Sequence, residues 1–204
     1  MSNSNTMNKS MIRTMTVTSL MIAITIIMTF TPMGTIPLPI VSVTIMFLPA
    51  IITVMLEGFL PGFTVATTAG IASMVRAYIM PTGILFPFIQ NPLVSVVPRM
   101  IIAVVVFFVF QALISTKVPR PVAIGIAAAA GSITNTVGFL GMMWIIYAAP
   151  LHAAVMSIPG TPHVSVWAFM LSIVTTNAVM EIVVNTIIAT LVVVALTKAK
   201  LSKY

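Results

Sequence analysis

The sequence predicts an all-α integral membrane protein: a six-transmembrane-helix bundle forming one domain over residues 1–204, with both termini in the cytoplasm. Three observations carry this. Of the 204 residues, 60% are hydrophobic and only 5% charged, and the mean hydropathy of +1.20 is too high for a soluble domain. Six apolar stretches approach the ~20 residues needed to cross a hydrocarbon core ~30 Å thick. The basic residues between them fall on one side of a six-span arrangement.

Taken in order, the stretches lie at about 15–31, 40–56, 61–80, 94–115, 121–147 and 165–197. The first follows the polar start Met1 to Thr14, which carries Lys9 and Arg13. That start resembles the leading part of a signal peptide, but no small-residue cleavage site follows, so the first helix is expected to be retained. Pro49 predicts a kink or unwinding near the middle of the second stretch. The last is long enough to tilt or to project beyond the bilayer.

Two connections are short: Glu57-Gly58-Phe59-Leu60 and Ser115-Thr116-Lys117-Val118-Pro119-Arg120. Three are longer, uncharged and rich in proline and glycine: Thr31 to Pro39, Pro81 to Pro92, and Ala149 to His163. Apolar loops of that kind read as partly buried caps. Lys9, Arg13, Lys117, Arg120, Lys198, Lys200 and Lys203 all share one side, which the positive-inside rule makes cytoplasmic. His152 and His163 then face outward.

The net charge of +7 is topological in origin: the basic residues form no basic face with interleaved aromatics, so nucleic acid is excluded as a partner. With no cysteine, disulfides and thiolate metal sites are excluded as well. No GxxxxGK[ST], HExxH or GxSxG motif occurs, which leaves ATPase and hydrolase chemistry without support and implies no cofactor. Nor are there paired six-span halves of the kind found in many secondary carriers.

Two arginines remain outside the topological set, Arg76 and Arg99, flanking the Pro81 to Pro92 loop. An arginine inside a span costs roughly 2.5–3.5 kcal/mol on insertion scales, so Arg99 calls for an anionic or strongly hydrogen-bonding counterpart. Its planar fork suits bidentate capture of a carboxylate or phosphate. Snorkelling to headgroups is the competing role, stronger for Arg76. Asn177, Glu181 and Asn185 recur at i, i+4 and i+8 along one face of the sixth stretch, rising about 6 Å per step. They form either a polar stripe facing a site or interhelical glue, with Asn185 the deepest and structural. Asn135 lies near mid-membrane between Gly131 and Gly138, where small neighbours admit a ligand or a close helix. Trp144 and Tyr147 suit an interfacial belt or the walls of a cavity. Tyr78, Phe86, Phe88, Gln90 and Asn91 are candidates for a lid. Ser19 and Ala23 have the small-xxx-small spacing that permits tight helix contact.

Several blocks together resemble the substrate-binding (S) subunits of energy-coupling factor (ECF) vitamin transporters, most closely the pantothenate and hydroxymethylpyrimidine group. They are Arg13-Thr14-Met15-Thr16 with Ser19 and Ala23, Phe30-Thr31-Pro32-Met33-Gly34-Thr35-Ile36-Pro37-Leu38, Asn91-Pro92 with Pro98-Arg99, and Gly131-Ser132-Ile133-Thr134-Asn135-Thr136. The resemblance covers nearly the whole chain. It implies a multi-pass cell-membrane protein that binds a vitamin from outside, is not itself an enzyme, and docks on a membrane scaffold subunit with two ATPase subunits. The family's Ala-x-x-x-Ala docking pattern on the first helix maps onto Ser19 and Ala23, with serine replacing the first alanine. The family's sixth-helix glutamate is usually followed by small residues, whereas Glu181 is followed by Ile182, Val183, Val184 and Asn185.

The resulting expectation is a pantothenate-binding subunit. Arg99, with Arg76 nearby, would hold the carboxylate, while Asn135, Asn177 and Glu181 serve the amide and hydroxyls, and Trp144 and Asn91 complete the site. A neutral or cationic vitamin such as hydroxymethylpyrimidine would rely on Glu181, Trp144 and the asparagines. A stand-alone passive carrier and a structural membrane protein are the alternatives from other classes.

Overall fold

The computed structural model describes residues 2–37, 42–80, 86–156, 165–173, 175 and 178–199. Helix α1 (Ser2–Phe30) leads through a 3-10 turn (Pro32–Gly34) into a ribbon of two antiparallel strands, β1 (Thr35–Pro37) and β2 (Ser42–Thr44). Then come α2 (Leu48–Glu57), α3 (Phe59–Ile79), two single-turn helices α4 (Phe86–Ile89) and α5 (Pro92–Ser95), α6 (Val97–Ile114), α7 (Arg120–Met156), α8 (Val166–Ile173) and α9 (Val179–Lys198). The expected helical class is present, with the ribbon as an addition. Four helical segments are long and apolar enough to cross a membrane: Ser10–Phe30, Pro92–Ile114, Arg120–Ala154 and Val179–Lys198. Helix α3 has 21 residues, enough length for a span, but it is less apolar because Gly, Thr, Ser and Arg76 interrupt it.

The second expected span, 40–56, is corrected. Its start is strand β2, and its helix has ten residues, about 15 Å of rise and too short to cross alone. Pro49 does not kink this helix; it sits in the first turn, where its missing N–H costs nothing. All ten residues of α2 are buried, because α1, α3, α6 and α9 surround it. Gly58, at φ 98°, reverses the chain in one residue, so α3 begins at Phe59. The fifth expected span runs on to Met156, bending where Tyr147 leaves helical geometry (φ −127°, ψ 29°) three residues before Pro150. The sixth is two helices, with Thr175 and Ala178 in π-helical conformation between them.

Neighbouring helices run antiparallel, as close approaches show. Gly62 abuts Val54, Phe59 lies against Phe107, Gly131 against Val106 and Gly138 against Pro98, while Gly125 faces Thr190. The main core cluster surrounds Phe47, Ile51, Met55, Ile102, Val106, Phe110 and Ile124, and a second, smaller one joins Phe88, Val94, Met143 and Leu151. This alternation gathers Arg13, Lys117, Arg120 and Lys198 at one end, hereafter the basic end. There, Arg13 Nη2 donates to Glu57 at 2.8 Å and Thr14 Oγ1 donates to the same carboxylate at 2.7 Å. A Cβ on Gly62 would sit 2.7 Å from both the Cα and the N of Val54. Gly62→Ala is therefore expected to wedge α3 off α2 and cost about 1–3 kcal/mol, visible as a lower unfolding midpoint in detergent.

Candidate functional site

Arg99 lies in the first turn of α6, two residues after Val97 and next to Pro98. Its side chain is buried, with 5% exposure. Nη1 donates to the Val94 carbonyl at 3.3 Å, the guanidinium carbon lies 5.1 Å from the centre of the Phe139 ring, and Nε is buried without a hydrogen-bond partner. Below it, one helical turn nearer the basic end, Asn135 of α7 donates through Nδ2 to Glu181 Oε1 of α9 at 3.0 Å. Both are buried, and Asn135 Oδ1 has no partner among the described residues. A turn farther along α9, Asn185 Nδ2 donates to the Thr44 carbonyl at 3.3 Å. Ser132 Oγ, buried on α7 three residues before Asn135, also lacks a partner.

Arg99 and Glu181 act on each other through their charges. They do not form an ion pair within 4.0 Å; among the described residues that contact belongs to Arg13 and Glu57. The cation thus keeps most of its five donors uncommitted among the described residues, in a low-dielectric interior where each is worth more than in water. A buried cation beside unused amide and hydroxyl groups can hold an acidic ligand that also offers donors and acceptors. A separate cavity of about 260 Å³ lies at the basic end, lined by Ser10, Met11, Arg13, Thr14 and Glu57. Its acid and base are already bonded to each other.

The remaining sequence candidates are distributed around this cluster. Arg76 is half-buried in the last turn of α3, where its charge suits the helix C-terminus. Asn91 caps α5, accepting from the Leu93 N–H at 2.9 Å, while its Nδ2 donates to the Tyr147 hydroxyl at 3.0 Å. The Phe88 ring packs on Tyr147 at 5.2 Å, Gln90 Nε2 donates to the Ala77 carbonyl at 3.2 Å, and the Ser95 hydroxyl donates to the Ile89 carbonyl. Together these contacts tie α4 and α5 to the end of α3 and to the bend in α7, close above Arg99. Trp144 is half-buried and pairs with the exposed Trp167 at 4.5 Å. Ser19 and Ala23 are exposed on α1, on the same side as Met11, Met15, Leu20, Ile26 and Ile27. Asn177 and His163 lie outside the described residues. Sequence reasoning did not find Phe139, Ser132 or Thr44, nor the bond between Glu57 and Arg13. Only the last left a trace, as an acid within a loop expected on the same side as Arg13.

Residues 13–193 match the family described as ECF transporter, substrate-specific component. The chain belongs to this family. As an ECF substrate-specific component it is a multi-pass membrane protein and a substrate-binding transporter subunit rather than an enzyme. It is also similar to the pantothenic acid transporter PanT of Lactococcus lactis subsp. cremoris (strain MG1363), at 28% identity over 177 residues, covering 80% of this chain and 82% of that protein. The family match, from residue 13 to residue 193, runs from α1 to α9 and so includes every residue of the polar cluster.

Proposed function

We propose that this ECF component binds pantothenate from outside the cell and delivers it for import driven by the ATPases of a partner module. The observation that carries the proposal is the buried Arg99 guanidinium, free of a close acidic partner among the described residues, above the Asn135–Glu181 bond. The similarity to a pantothenic acid transporter supports the same substrate. Pantothenate has one carboxylate, an amide and two hydroxyls. Arg99 takes the carboxylate with Arg76 nearby, and Asn135, Asn177 and Glu181 serve the amide and hydroxyls. Asn91 and Trp144 bound the site on its outer side.

In this proposal the chain makes six passes, with the ribbon and the buried α2 together forming the second. Both termini are cytoplasmic, because Arg13, Lys117, Arg120 and Lys198 gather at one end. The exposed small residues Ser19 and Ala23 offer α1 to a membrane scaffold subunit that carries two ATPases. A second substrate, a neutral or cationic ring such as hydroxymethylpyrimidine, is favoured by the Trp144–Trp167 pair and by Glu181.

Calorimetric titration of the purified protein with pantothenate, hydroxymethylpyrimidine and pyridoxine separates these substrates. Tight binding of pantothenate alone is the expected result; binding of a ring compound alone would reassign the site. Liposomes containing only this chain are expected to bind pantothenate without transporting it, and steady flux there would make it a passive carrier.

A further inference from the structure

We infer that Asn185 is a positioning residue for the candidate site, acting through the backbone of Thr44 to hold both the β1–β2 ribbon and the Glu181 carboxylate in place. The inference starts from strand register. Thr35 pairs with Thr44, and the Ile45 N–H donates to the Gly34 carbonyl at 2.9 Å. In an antiparallel ladder, a residue pair flanked by such a bond is a non-hydrogen-bonded pair, so its own N–H and C=O point away from the opposite strand. Thr44 therefore turns both backbone groups outward, into the bundle, where water is not at hand to satisfy them.

Helix α9 packs on this edge. Asn185 Nδ2 donates to the Thr44 carbonyl at 3.3 Å, and Glu181 lies beside the Thr44 backbone one turn earlier on the same helix. The two side chains are four residues apart on one helical face, about 6 Å apart along the axis, and long enough to converge on one backbone unit. The open edge of this three-pair ribbon is thus met by helical side chains instead of a third strand. Glu181 then sits between the Thr44 backbone and Asn135 Nδ2, which donates to it at 3.0 Å. Asn185 has no exposed surface, and its donor group is directed at Thr44. Its effect on ligand passes through the ribbon and Glu181.

The dependence on ligand rests on the pantothenate proposal; the link from Asn185 to the ribbon does not. The test uses the full chain in detergent with Asn185→Leu, which removes the donor at similar volume. Two quantities are read: amide hydrogen exchange over residues 42–46, with residues 101–110 of α6 as reference, and the rate of pantothenate dissociation. Loss of one buried hydrogen bond is expected to speed exchange over 42–46 about five- to tenfold, leave the α6 reference unchanged, and speed dissociation by a similar factor. Native exchange over 42–46, or an equal rise in α6, overturns the inference. So does faster ribbon exchange with native dissociation. If N185L fails to fold, Asn185→Ser is judged by the same criteria. If the native protein does not bind pantothenate, the substrate proposal fails and exchange alone decides the role of Asn185.

Discussion

Arg99→Ala is expected to weaken pantothenate binding by about 10- to 150-fold, the loss of roughly 1.5–3 kcal/mol from charge-assisted hydrogen bonds. The fold should not suffer. In the native protein the guanidinium is buried on one 3.3 Å bond to the Val94 carbonyl and a face contact with Phe139, and removing it relieves a desolvation cost. The unfolding midpoint is therefore expected to stay level or rise while affinity falls, a combination that general damage cannot produce. Arg99→Lys keeps the charge and loses the planar fork, so about a tenfold loss is expected. Titration calorimetry beside thermal unfolding checks both variants. Native affinity in Arg99→Ala would remove the anion-binding role from this residue.

The opposite pattern is expected at the basic end. The Glu57 side chain has no exposed surface and accepts from Arg13 at 2.8 Å and Thr14 at 2.7 Å. Glu57→Ala strands a cation and a hydroxyl. Breaking a fully buried pair costs about 3–5 kcal/mol, and the partial exposure of Arg13 reduces this to about 2–3 kcal/mol. Glu57→Gln keeps an acceptor for Thr14 and should lose about half as much. Pantothenate affinity at low temperature should be native in both, because Arg99 and Glu181 lie in the other half of the bundle. Reduced affinity with a native unfolding midpoint would instead tie this contact to the binding site.

The contrast between these two charges indicates which parts of the molecule were legible in the sequence. Apolar length and loop charge located α3 and α6 at both ends, and the C-terminal ends of α1 and α9, to within several residues, because lipid imposes length and polarity directly on the sequence. They misplaced α2, whose ten residues are shielded by protein and so carry no length requirement. They also missed the continuation of α7 past Pro150, since a proline within a bundle bends a helix as readily as it ends one. At the site, Arg99, Asn135 and Glu181 stood out as polar groups in apolar surroundings. What joins them did not. Asn135 and Glu181 are 46 positions apart, Arg13 and Glu57 are 44, and Thr44 contributes only backbone atoms that any residue type would supply.

The enclosure of α2 has a consequence for how the chain enters the bilayer. A ten-residue helix gives the insertion machinery too little apolar length to be released sideways into lipid by itself. Its walls include α6 and α9, which are synthesised 40 to 140 residues later. Until they arrive, the α2–α3 hairpin, folded back at Gly58, has one side without its final neighbours. The wall around α2 is therefore complete only when α9 arrives, covering a segment made long before it.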